Sequence, residues 1–200
     1  MRSDREHLLD FARIQGLFRA ADVVRQGIHT QWLTRLIDQG LIERVNRGQY
    51  RWAEGEISEH HSMVLAASAV PKGVICLLSA LQFHRIGTQL PHQIWIALDR
   101  RARRPALHYP PLRVVRFSEP TLTQGIERHS IEGQEVKIYD LAKTLADCWK
   151  FRHKIGLDVA LEALSETWRQ ERLDLQELNH YARICRVQRV MQPYLEALVA

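Results

Sequence analysis

Between residues 4 and 15 the apolar positions Leu8, Leu9, Ala12 and Ile14 recur at helical spacing, and Gly16 ends the run. A second, short helix is predicted over Ala20 to Gln26, with Val23 and Val24 turned inward. Gly27 takes the positive φ that closes it and Ile28 plugs the corner. A third helix from Thr30 to Gln39 then places Leu33, Leu36 and Ile37 on one face before Gly40 stops it. Beyond this point the helical period gives way to alternation. "LIERV" and "QYRW" flank Asn46-Arg47-Gly48, the pattern of a β-hairpin closed by a tight turn. Three helices followed by a hairpin predict a winged helix over residues 1–54.

The segment "AEGEIS", residues 53–58, is polar and acidic and reads as a boundary. After it the pattern is mixed. Residues 58–70 have helical spacing, "GVICL" suits a short strand, and Ser79 to Arg85 suits another helix. "HQIWIAL" and "LRVVRF" are strands, separated by the loop "DRRARRPALHYPP", and "IERHSIEGQEVKIY" is a hairpin turning at Glu132-Gly133. Helical spacing then covers residues 139–151, 156–170 and 174–186, with a last helix through Leu198 broken near Pro193. The expected fold class is α+β: an N-terminal winged helix-turn-helix, followed over residues 58–200 by a mixed α/β domain with a small sheet and a helical end.

Composition narrows the partners. The chain has 200 residues, 26% charged and 46% hydrophobic, and a formal net charge of +5 in which arginine dominates, a balance suited to a polyanion. The three cysteines, Cys76, Cys148 and Cys185, lie far apart without CxxC spacing and read as buried thiols in a reducing cytoplasm. No apolar run reaches the roughly 18 to 20 residues of a membrane helix, and "MRSDREHLLD" lacks the apolar core of a signal peptide. The expectation is a soluble cytoplasmic protein without a membrane partner.

In a helix-turn-helix the second helix of the motif enters the major groove. Thr30, Gln31, Thr34 and Arg35 fall on the side of the third helix away from Leu33, Leu36 and Ile37. Gln31 can pair bidentately with adenine and Arg35 with guanine, while the threonines suit phosphate or a thymine methyl. His29 occupies the N-cap, where a small polar residue is more usual. In the hairpin Gly48 permits the reversal, and Arg44, Arg47 and Arg51 with Tyr50 make a cationic wing that can grip phosphates or probe the minor groove. Trp32 and Trp52 read as packing residues. The same module can also dock proteins, in which case the wing arginines are a solvated edge.

These residues resemble a known family. "GLFRAADVVRQGIHTQWLTRLIDQGLIERVNRGQYR" is similar to the winged helix of the AbiEi antitoxins, with its Gly-Ile turn, leucine-rich recognition helix, Gly-Leu and Arg-x-x-x-Gly-x-Tyr wing, here Arg44, Gly48 and Tyr50. "LLSALQFHRIG" and "IYDLAKTLADC" resemble the family's Ser-Ala-Leu helix and its Lys-Thr-x-x-Asp helix, the latter at Lys143, Thr144 and Asp147. The resemblance implies a type IV antitoxin. Such a protein represses its own operon by binding double-stranded DNA, and its C-terminal domain counters a nucleotidyltransferase-like toxin without necessarily forming a stable complex. A solitary regulator without a toxin would share the same motifs.

Rival chemistries leave fainter traces. "EVK", Glu135 to Lys137, matches half of a metal-dependent nuclease site, with Asp99 as the candidate partner carboxylate, although alternation also puts Glu135 and Lys137 on the solvated face of an ordinary strand. The ten histidines lack ligand spacing, and neither a GxSxG elbow nor a glycine-rich phosphate loop occurs. No catalytic residue, metal or cofactor is expected. The arginines at 100, 101, 103 and 104, followed by Arg113 and Arg116, form the densest cluster of charge and suit an additional contact to DNA or to RNA, or else a solvated loop. Arg183, Arg186 and Arg189 read as a solvated helix face.

Overall fold

The computed structural model describes residues 3–199. Contacts divide the chain into two compact units, one made of Met1–Pro71, Pro105–Pro110 and His129–Val136, the other of Lys72–Arg104, Pro111–Arg128 and Lys137–Ala200. The fold is α+β.

The first unit opens with α1 (Asp4–Gln15). A capping box starts it: Ser3 Oγ accepts the Glu6 N–H at 3.3 Å, and the Glu6 carboxylate accepts the Ser3 N–H at 3.1 Å, so two orphan donors of the first turn are satisfied. Then follow β1 (Leu17–Arg19), α2 (Ala20–Arg25), α3 (Gln31–Asp38), β2 (Ile42–Asn46), β3 (Gln49–Trp52) and α4 (His61–Ala69). The strands form an antiparallel sheet in the order β1-β3-β2. Leu8, Ala12, Phe18, Val23, Ile28, Leu33, Leu36, Ile42 and Trp52 form its core. Strand β1 was not legible as a strand: three residues are too few for alternation to register, and its pairing with β3 is a tertiary event. Val24, expected inside, is 57% exposed, because a six-residue helix has room for only one inward valine and Val23 takes it. Helix α4, read from sequence as part of the second domain, lies in the first unit.

The tip of the later hairpin also belongs to this unit. Glu132, at φ +51 beside Gly133, turns its carboxylate to the Ser58 N–H and hydroxyl, both at 2.8 Å, and to His61 Nδ1 at 2.7 Å. Burial works to raise the pKa of this carboxyl, but the hydrogen bonds from His61 and Ser58 outweigh it and hold the group below its ordinary range.

The remaining elements are β4 (Val74–Ile75), α5 (Leu77–His84), β5 (Ile94–Asp99), β6 (Leu112–Phe117), β7 (Ile126–Ile131) and β8 (Gln134–Tyr139). They are followed by α6 (Leu141–Lys150), α7 (Arg152–Ile155), α8 (Leu157–Arg169), α9 (Leu175–Cys185) and α10 (Gln188–Val199). The sheet has the order β6-β5-β4-β8-β7. Strands β5 and β6 run parallel, from Ile94 opposite Leu112 to Asp99 opposite Phe117, so the arginine-rich loop between them is a crossover rather than a hairpin turn. Helix α10 runs through Pro193, where a break was expected. Met191 and Leu195, both buried in the core, hold the segment helical despite the missing N–H.

Helix α6 is the centre of the second unit, with every residue from Ala142 to Trp149 buried. Two of them are charged. Lys143 and Asp147, both 0% exposed, pair one helical turn apart. The ammonium also lies 4.1 Å from the centre of the Tyr139 ring and 5.0 Å from that of Phe117, while Cys185 Sγ donates to Asp147 Oδ1 at 3.2 Å. Burial pushes the Asp147 carboxyl up and the neighbouring ammonium pulls it down; burial likewise pushes the Cys185 thiol up to about 12, which keeps it a donor. All three cysteines are buried and free.

Candidate nucleic-acid interface

Helix α3 is held by its apolar side. Leu33 and Leu36 are buried and Ile37 and Trp32 are partly buried against the same core, which leaves Thr30, Gln31, Thr34 and Arg35 exposed. The N-cap is Thr30 rather than His29, and Thr30 makes no side-chain cap; one residue earlier, His29 Nδ1 accepts the Gln31 N–H at 3.2 Å and so satisfies one donor of the first turn. Arg35 is the best positioned cation of the helix. Its guanidinium lies 4.5 Å from the centre of the Trp32 ring, which limits its rotamers while leaving its donors outward.

The hairpin behind α3 reverses through Arg47-Gly48, with Gly48 at φ +72. A register shift between Arg44 and Asn46 twists the wing at its tip. Arg44 and Arg47 are exposed. Two residues expected with them are placed otherwise. Tyr50 stacks on Phe18, ring centres 6.0 Å apart and 24° between planes, and is partly buried against the core. Arg51 donates to Glu43 at 2.6 Å and to the Gly55 carbonyl at 3.4 Å, with its side chain only 14% exposed, so its charge is compensated within the hairpin. Trp52 is core, with the Arg13 guanidinium 5.0 Å from its ring centre.

The residues that hold the wing in place were not legible. Gln49, which alternation leaves as an ordinary polar strand residue, is 3% exposed and donates through Nε2 to the Leu65 carbonyl of α4 at 3.2 Å. Arg19 reaches the Ser68 carbonyl on the same helix, and the Ala20 N–H binds the Gly48 carbonyl at 3.0 Å. Asn46 clamps the backbone of Tyr109, donating to its carbonyl at 2.6 Å and accepting its N–H at 3.3 Å. These contacts tie the wing to segments distant in sequence, which no local pattern announces.

A buried hydrophobic trihelical core, a solvent-facing polar helix and a two-stranded cationic wing are the parts of a winged-helix regulator. Residues 6–53, from α1 through the end of the wing, match a family model described as a transcriptional regulator, AbiEi antitoxin. Over these residues the chain is similar to that family. No curated protein matches the chain. The AbiEi match ends where the wing ends and leaves the motifs at Ser79 and at Lys143, Thr144 and Asp147 outside it. In this structure those residues are interior: Ser79 Oγ accepts the Trp95 N–H at 3.0 Å, and Thr144 donates to the Tyr139 carbonyl at 3.2 Å.

The other sequence candidates are scattered. Asp99 closes β5 and its carboxylate accepts the Arg101 N–H at 2.8 Å; Lys137 is on β8, which β4 separates from β5. Glu135 is an exposed residue of β8. Among the described residues no group of three or more His, Cys, Asp or Glu side chains could hold a metal ion, and no helix is long and apolar enough to cross a membrane. Arg100, Arg101, Arg103 and Arg104 are all exposed.

Proposed function

We propose that the protein is a transcriptional autoregulator whose winged helix reads a double-stranded operator upstream of its own gene. Alongside this it acts as the antitoxin of a type IV pair, countering a nucleotidyltransferase-like toxin in the cytoplasm without catalysis of its own. The observation that carries this reading is the exposure of Thr30, Gln31, Thr34, Arg35, Arg44 and Arg47 on the solvent face of α3 and on a buttressed wing, within the segment that matches the AbiEi regulators. Gln31 and Arg35 are the base readers, the threonines and the two wing arginines bind phosphate, and Tyr50 and Arg51 position the wing from beneath. Arg100, Arg101, Arg103 and Arg104 add a further nucleic-acid contact, to DNA or RNA, on charge alone.

A titration against the upstream DNA at two salt concentrations tests the reading. Wild type binds tightly and loses affinity as salt rises, and Arg35→Ala with Arg47→Ala abolishes preference over random sequence. Wild-type binding no tighter to that DNA than to random DNA would refute autoregulation. Because the AbiEi match covers the winged helix alone, a solitary regulator is the second reading. Co-expression with a nucleotidyltransferase encoded beside the gene separates the two: restored growth supports the antitoxin, and unrelieved arrest or the absence of any toxicity supports the solitary regulator.

A further inference from the structure

Strand β6 ends the five-stranded sheet and pairs with β5 alone, so one of its backbone edges carries N–H and C=O groups that no strand of the sheet satisfies. Along this strand runs a groove of ≈ 380 Å³ whose wall includes five consecutive residues, Leu112 to Arg116, with Trp95 beside them. Four cations line it: Arg104 from the crossover loop, Arg113 and Arg116 from β6, and Lys154 from α7. No acidic side chain does. Arg113 lies with its guanidinium 5.5 Å from the Trp95 ring centre, directly across the ladder, and Arg116 is fixed by donating to the Asp99 carbonyl at 2.9 Å, so two of the four cations are held in place before anything binds.

We propose that this edge receives an extended acidic segment of a partner protein, which adds as a sixth strand beside β6 and pairs its carboxylates with Arg104, Arg113, Arg116 and Lys154. A groove that follows five successive backbone units fits a chain with the repeat of a β-strand, and strand addition draws affinity from main-chain hydrogen bonds and specificity from alternate side chains. The charge selects the occupant. A second copy of this chain would bring the same four cations against themselves, and like charges on an open edge are a known guard against self-pairing. An acidic strand meets the same edge with attraction. This site lies in the second unit and shares only Arg104 with the nucleic-acid contact proposed above, so operator reading by the winged helix can hold while strand addition fails, and the reverse.

The test is fluorescence anisotropy of a labelled peptide of alternating glutamate and valine, titrated with the full-length protein. The expected result is saturable binding that weakens by about tenfold or more when every peptide nitrogen is methylated, a change that removes the N–H donors and keeps the charge. Binding is also lost with Arg104→Glu combined with Lys154→Glu, two exposed positions whose exchange leaves the melting temperature unchanged. Equal binding of the methylated peptide would overturn strand addition. So would an absence of peptide binding, and so would a single-stranded oligonucleotide of equal charge that binds more tightly and loses its affinity in the same double variant, since the groove is then a site for a nucleic-acid backbone.

Discussion

The wing and helix α6 both carry charges that the chain needs, and they use them in opposite ways. Arg44 and Arg47 stand in solvent, whereas Lys143 and Asp147 are fully enclosed. An exposed guanidinium costs little to hold and keeps its field available to a partner, so its loss is felt in binding and scarcely in folding. An enclosed ion pair is the reverse. It can reach no partner outside the protein, its desolvation is tolerated only while both charges, the flanking rings and the Cys185 thiol are in place, and its loss is felt in folding. Burial, rather than residue type, separates a charge that recognises from a charge that organises.

The sharpest way to break this comparison is Asp147→Ala. With Lys143 left charged and alone, stability falls by roughly 3–5 kcal/mol in urea unfolding, and Lys143→Met combined with Asp147→Leu recovers most of it. A loss near zero for the single variant would mean that the pair is not ionised. A smaller effect is expected from Gly125→Ala. Gly125 sits at φ +72, and a Cβ there meets Lys143 Cβ and Asp140 Oδ2 at 2.7 Å, so the variant should lose about 1–3 kcal/mol by crowding the start of α6. Replacing Arg44 or Arg47 by Ala should leave unfolding within about 0.5 kcal/mol of wild type and lower the salt slope of DNA binding by about one per arginine. A wing variant that melted early would transfer Arg44 or Arg47 to the organising class.

Acid should probe both units with the smallest effects. Burial lowers the pKa of His84 below its ordinary 6.5 although the ring bonds to the Tyr139 carbonyl. The unfolded chain therefore takes up this proton first, and the contribution of neutral His84 is complete above 6.5 and lost as pH falls through the lowered native value. Glu132 behaves alike in a lower window. Its stabilisation is complete above the ordinary 4.5 and is lost as pH falls through the lowered native value. In melts across pH, His84→Gln should remove the earlier decline and Glu132→Gln the later one.

Much of the winged helix was legible because its signals are local. Helix α1 runs from Asp4 to Gln15 as the apolar spacing and Gly16 predict, and the hairpin turns at Arg47-Gly48 as alternation and glycine predict. The departures have a common form. Tyr50 and Arg51 share the alternating pattern of the wing, yet one stacks on Phe18 and the other closes on Glu43. A strand pattern gives the face of a residue, while a long side chain chooses among neighbours that the pattern does not contain. Gln49 and Asn46 support the wing through Leu65 and Tyr109, 16 and 63 residues away.

By itself, then, the sequence determined most of the longer elements, their turns and the polar face of α3, since periodicity and glycines act over a few residues. Tertiary structure alone decided that β5 and β6 run parallel, that Pro193 stays within a helix, and that Lys143 and Asp147 face each other in a dry interior. Strand direction, the survival of a helix over proline and the ionisation of a buried pair all depend on what packs against the segment, and that environment comes from parts of the chain far away in sequence.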